Sequence, residues 1–88
     1  MHKSHEALQG EINEATKKVS IGGIYYHYKN PNRNYKVLHL AVTEADDELS
    51  VIYQAQYGRQ LIFVRSLKSW LSDVELDNHV AQRFTLIQ

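Results

Sequence analysis

The densest run of chemically capable side chains is Ile24-Tyr25-Tyr26-His27-Tyr28-Lys29. In an extended strand, side chains alternate between faces, so Tyr25, His27 and Lys29 point one way and Ile24, Tyr26 and Tyr28 the other. The first row offers a phenol that stacks, an imidazole that donates or accepts, and an ammonium that neutralises an anion. Its plain use is a solvated face above a core of Ile24, Tyr26 and Tyr28, because aromatics in small β domains mostly pack. Its functional use is a ligand shelf. A second patch, Val51 to Gly58, puts Val51, Tyr53, Ala55 and Tyr57 on one face and Gln54 and Gln56 on the other. Gly58 then supplies a positive φ or room for close backbone approach. Arg65 follows Leu61-Ile62-Phe63-Val64 on the side of Leu61 and Phe63. An arginine there more often anchors a neighbouring carboxylate or carbonyl than it meets a ligand. The candidate ligand-binding residues are therefore Tyr25, His27, Lys29, Tyr53, Tyr57 and Arg65.

Other chemistry finds less support. Of the histidines His2, His5, His27, His39 and His79, only His2 and His5 are closely spaced, whereas zinc needs three or four convergent ligands. His39 is expected on a strand face with Tyr35, Val37 and Ala41, as packing. No metal and no cofactor are expected. Ser20, Ser50, Ser66, Ser69 and Ser72 lie in no Gly-x-Ser-x-Gly elbow. Glu44, Asp46, Asp47 and Glu48 read as solvated charge in one turn, and no phosphate-binding glycine motif is present. A domain of 88 residues has little room for a deep, dry active site beside its own core. No catalytic residue is assigned, and the protein is expected not to be an enzyme.

These residues must be positioned by short elements. Leu8, Ile12, Ala15 and Val19 recur at helical spacing behind Ser4, a good N-cap, which predicts a helix from about Ser4 to Lys18. The rhythm then becomes β-like. Strands are predicted over Ile21–Lys29, Tyr35–Thr43, Leu49–Tyr57 and Leu61–Arg65, with turns at Asn30–Asn34, Glu44–Glu48 and Gly58–Gln60. Ser66 caps one helical turn in which Leu67, Trp70 and Leu71 share a side. Val74–Leu76 and Val80–Ile87 form a last hairpin across Asp77-Asn78-His79. The chain lacks the long crossovers that parallel strands require. The fold class is mainly β: a small barrel of five or six antiparallel strands, residues 20–88, behind a helical extension over residues 1–19.

Composition narrows the setting. Ten basic and ten acidic residues cancel, so the overall field does not steer the chain to nucleic acid or an anionic membrane. Absence of cysteine removes disulfides and thiol chemistry. No apolar run approaches the roughly 20 residues of a membrane span, and no secretory leader is visible. The cytoplasm is the expected location.

The two aromatic patches resemble a bacterial family of small proteins built on a domain of unknown function. Its core reads Gly-x-Tyr-x-His-Tyr-Lys, Tyr-x-Val, Val-Tyr-x-x-x-Tyr-Gly and Trp-Val-Arg-Pro, with Arg-Phe near the end. Gly23, Tyr25, His27, Tyr28 and Lys29 match the first element, and Tyr35 and Val37 the second. Ile52, Tyr53, Tyr57 and Gly58 follow the third with isoleucine for valine. Phe63, Val64 and Arg65 follow the fourth with phenylalanine for tryptophan, and Ser66 stands where the family has proline. Arg83-Phe84 closes the match, which spans about Ser20 to Ile87. The resemblance implies an SH3-like barrel and brings no assigned activity.

SH3-like barrels commonly bind through an aromatic surface between loops. The first functional expectation is therefore a non-catalytic binding module. Its partner would be a peptide or protein, favoured slightly over single-stranded nucleic acid or a nucleotide because net charge is zero. The alternatives are a small enzyme or metal-assisted hydrolase using His27 with Tyr25 or Arg65, and a self-associating structural subunit, with a homodimer as its simplest form.

Overall fold

The computed structural model describes residues 2–88. Helix α1 (His5–Ala15) opens the chain, capped by Ser4, whose Oγ accepts from the Ala7 amide at 3.1 Å. The helix stops three residues short of its predicted end, and a turn carries the chain on to Val19 in the core.

Seven strands and a second short helix follow. They are β1 (Ile24–His27), β2 (Asn30–Thr43), β3 (Glu48–Ala55), β4 (Ile62–Ser66), α2 (Leu67–Trp70), β5 (Asp73–Leu76), β6 (His79–Gln82) and β7 (Phe84–Leu86). Five strands form one antiparallel sheet in the order β4-β3-β2-β1-β7, and β5 and β6 form a separate hairpin. The mainly β, antiparallel architecture with one N-terminal helix and one helical turn matches the sequence expectation. The predicted final strand is split at Arg83, so that its last part, β7, leaves the hairpin and pairs with β1.

Two irregularities set which side chains face inward. Across β1 and β2, Tyr26 pairs with Asn34 but His27 pairs with Asn30, leaving Pro31, Asn32 and Arg33 without partners. The predicted turn at residues 30–34 is thus an excursion within β2, and the tight turn itself falls at Tyr28-Lys29. In β2, Val37 opposes Tyr53 while His39 opposes Ile52, so Leu38 is an extra residue. Such a bulge inverts the alternation beyond it. Val37 is fully buried, Leu40 packs on the core, and His39 is exposed. The expectation that His39 shares a packing face with Val37 fails for that reason.

The core is aromatic. Tyr25, Tyr53, Trp70 and Phe84 are buried with Val19, Val37 and Val51. Trp70 stacks on Phe84 with ring centroids 3.7 Å apart and planes 5° apart. Tyr25 and Tyr53 meet Trp70 edge-on at 5.2 and 5.0 Å, the preferred geometry for rings with opposed face and edge charge.

Candidate functional site

Tyr25 pairs with Tyr35 on one side and Leu86 on the other, so its ring points into the core. It is 5% exposed, and its hydroxyl accepts from the Ser20 amide at 2.8 Å. The inward row of β1 is therefore Tyr25 and His27, and the expectation that Ile24, Tyr26 and Tyr28 fill the core is reversed. The register of two neighbouring strands decides this face, and alternation within β1 alone cannot. Tyr53 is buried as well, against Phe63 on β4 and Phe84 on β7. Tyr57 is half-buried beyond the end of β3, where its hydroxyl meets that of Tyr35 at 2.8 Å. Burial, and then that hydrogen bond, push the Tyr35 phenol up to about 12. The Arg33 guanidinium sits 4.7 Å from the Tyr57 ring centre.

His27 and Arg65 both reach the Phe84 ring, and Lys29 lies close enough for its charge to act on His27. His27 sits at the rim of the core, its ring 5.0 Å edge-on from Phe84 and 4.6 Å from Tyr28. Its Nδ1 accepts from the Lys29 amide at 3.2 Å, which requires the neutral ring with the proton on Nε2. Burial lowers its pKa, and the charges of Arg65, Arg83 and Lys29 lower it further. Arg65 reaches from β4 to within 5.2 Å of the Phe84 ring centre, and Arg83 to within 5.9 Å of Tyr28. Lys29 Nζ lies 5.9 Å from the same Tyr28 ring.

Serines hold this cluster together. Ser66 caps α2 by accepting from the Ser69 amide at 3.1 Å. Ser69 Oγ accepts from Arg65 Nη1 at 3.0 Å. Ser72 Oγ accepts from Arg83 Nε at 2.9 Å and donates to the Ser69 carbonyl at 2.6 Å. Spacing of three residues around one helical turn brings two hydroxyls, Ser69 and Ser72, to two guanidinium groups, while the third, Ser66, caps the turn. Arg65 Nε is buried without an acceptor. Among the described residues the ion pairs join His2 to Asp47, Lys3 to Glu11 and Lys17 to Glu14, each with at least one partner on α1 or within a few residues of its ends. Among the described residues no carboxylate lies within ion-pairing distance of Arg65, Arg83, Lys29 or His27. The carboxylate or carbonyl anchor expected for Arg65 is replaced by a neutral hydroxyl.

Of the six candidates, His27, Lys29 and Arg65 converge, Tyr57 stands apart with Arg33, and Tyr25 and Tyr53 lie in the core beneath. Arg83 and the serines were not singled out as site residues. Their signal was the triplet Ser66, Ser69, Ser72 at helical spacing beside the Arg83-Phe84 pair. No group of three or more metal-ligating side chains is assembled among the described residues. No helix there is long and apolar enough to cross a membrane.

Comparison with curated proteins finds no match. A crystal structure of a DUF1653 protein from Bordetella bronchiseptica is similar, with 31% identity and a TM-score of 0.65 over 75% of this chain and 85% of that one. The model of a family described as a protein of unknown function, DUF1653, matches residues 23–86. That span runs from Gly23 through every strand and the whole serine-arginine cluster, and leaves out α1. The chain belongs to the DUF1653 family.

Proposed function

We propose that this protein is a non-catalytic binding module and that its ligand is an acidic peptide segment of a partner protein. The observation that supports the reading is a cluster of His27, Lys29, Arg65 and Arg83 around the Phe84 and Tyr28 rings, with no carboxylate paired to it among the described residues. Arginine presents a planar fork of donors that suits a carboxylate, and serine hydroxyls fix both forks without consuming their charge. The burial of Tyr25 and Tyr53 weighs against single-stranded nucleic acid, because base stacking needs exposed rings. Zero net charge weighs the same way.

The test is a pair of titrations followed by amide NMR, one with a glutamate-rich peptide and one with an oligothymidylate of equal charge. The peptide is expected to shift His27, Lys29, Arg65 and Arg83, and Arg83→Gln is expected to weaken it about tenfold, the loss of one charge-assisted contact. Stronger shifts from the oligonucleotide would replace the peptide with nucleic acid. Peptide shifts elsewhere on the surface would end the proposal.

A further inference from the structure

Strand β4 forms one end of the sheet, and Leu61, Ile62, Phe63 and Val64 are 59%, 57%, 38% and 67% exposed. Its ladder bonds go to β3, and outside that ladder no backbone hydrogen bond involves Ile62–Ser66. Proteins normally blunt such an edge with lysine, proline, a bulge or a short strand. Residues 61–64 contain no charge and no proline, and the register with β3 runs without a break from Ile62 to Ser66. The opposite edge, β7, is only three residues long. An edge of this kind has unpaired backbone donors and acceptors, so what fits it is another strand.

We propose that the occupant is β4 of a second copy, paired antiparallel about a two-fold axis near Phe63. In that register Phe63 faces its equivalent and Ile62 faces Val64 of the other copy. Ile62 and Val64 lie on the face of β4 shared with Ile52, so both chains contribute to one continuous apolar strip. No like charges are brought opposite one another, since Arg65 falls against Leu61 of the second copy. A pairing of β4 on β7 would instead be head-to-tail and would not close on itself. Zero net charge leaves little long-range repulsion between copies. The contact is small, at the low end of specific interfaces, so the dimer is weak. This inference is independent of the anionic ligand.

Sedimentation equilibrium on the full chain tests it. The weight-average mass is expected to rise from 10.2 kDa toward twice that value between about 1 µM and 1 mM. Val64→Lys is expected to hold the mass at one chain throughout, with an unchanged melting curve because the side chain is exposed. Val80→Lys, an equally exposed change on β6, is expected to dimerise like the parent. A parent that stays monomeric at 1 mM overturns the proposal. So does a Val64→Lys variant that dimerises normally, or a mass that climbs past two chains.

Discussion

Arg65 and Arg83 each donate to a serine oxygen, and the charges of both act on His27, a neutral ring. An anion placed among them would gain three favourable charges and convert the His27 environment from one that repels a proton to one that holds it. Without the ligand, His27 protonates more readily in the unfolded chain than in the folded one. Its contribution to stability is thus fully present above about pH 6.5 and is lost as pH falls below that value. Denaturant melts across pH 5–8 should show a shallower acid loss in His27→Gln than in the parent; equal slopes would mean that the ring is not held neutral. Tyr35 behaves in the opposite sense, with a folded pKa above the unfolded one. Its contribution is intact below about pH 10 and is lost as pH rises toward 12. In Tyr57→Phe, ultraviolet titration should find the Tyr35 phenolate forming at lower pH than in the parent yet still above the ordinary tyrosine value, because burial remains. An unchanged titration would remove the Tyr57 hydrogen bond as a cause. At this scale Arg65, His27 and Lys29, candidates from the sequence, are brought together by the fold. The serines read in the sequence as nucleophile candidates, whereas Ser69 and Ser72 accept hydrogen bonds from arginine.

Elements decide which of these side chains are available. β1 is too short to specify its own inward face, and the assignment of Tyr25 came from its neighbours on β2 and β7. The bulge at Leu38 has no glycine or proline to announce it, so the outward turn of His39 was invisible in the sequence. By contrast, the Ser4 and Ser66 caps and the Trp70 helical turn were legible because a hydroxyl before an apolar i, i+3, i+4 pattern is a local signal. Gly23 marks another close contact. A Cβ there would meet Leu86 Cδ1 at 2.9 Å and the Ser20 carbonyl oxygen at 3.0 Å, and the latter is backbone that cannot swing aside. Gly23→Ala is expected to cost about 1–3 kcal/mol by overpacking, read as a lower denaturation midpoint with an unchanged slope. Trp70→Ala should cost more, about 3–5 kcal/mol, since the indole contacts Tyr25, Tyr53 and Phe84 at once. A loss below about 1 kcal/mol would mean that the α2 turn is not part of the cooperative core.

Across the whole molecule, equal numbers of positive and negative residues conceal local groupings. Glu6, Glu11 and Glu14 lie on α1, and Glu44, Asp46, Asp47 and Glu48 surround the β2–β3 turn. Lys29, Arg65 and Arg83 group apart from these around Tyr28 and Phe84, while Asp73, Glu75 and Asp77 belong to the β5–β6 hairpin. Net charge, the quantity available from composition, averages these groupings away. Asp47 ties the first two acidic segments together: it is buried with φ of 57°, and its carboxylate accepts from His2 Nδ1 at 2.9 Å and the Lys3 amide at 2.6 Å. Those bonds hold its carboxyl below the usual aspartate range. Asp47→Ala should raise amide exchange in α1 while leaving β3 protected, because the helix lies outside the family's shared span. Equal loosening of both would make α1 part of the sheet's own cooperative unit. The grouping of Lys29, Arg65 and Arg83 also predicts that ligand binding weakens as salt rises past physiological strength.

The most direct measurement is the pKa of His27, followed through its ring protons by NMR, with and without a saturating glutamate-rich peptide. A value below 6.5 is expected in the free protein, rising above it when the peptide binds. A His27 pKa that the bound peptide leaves unchanged would contradict an anionic ligand at the Arg65–Arg83 cluster.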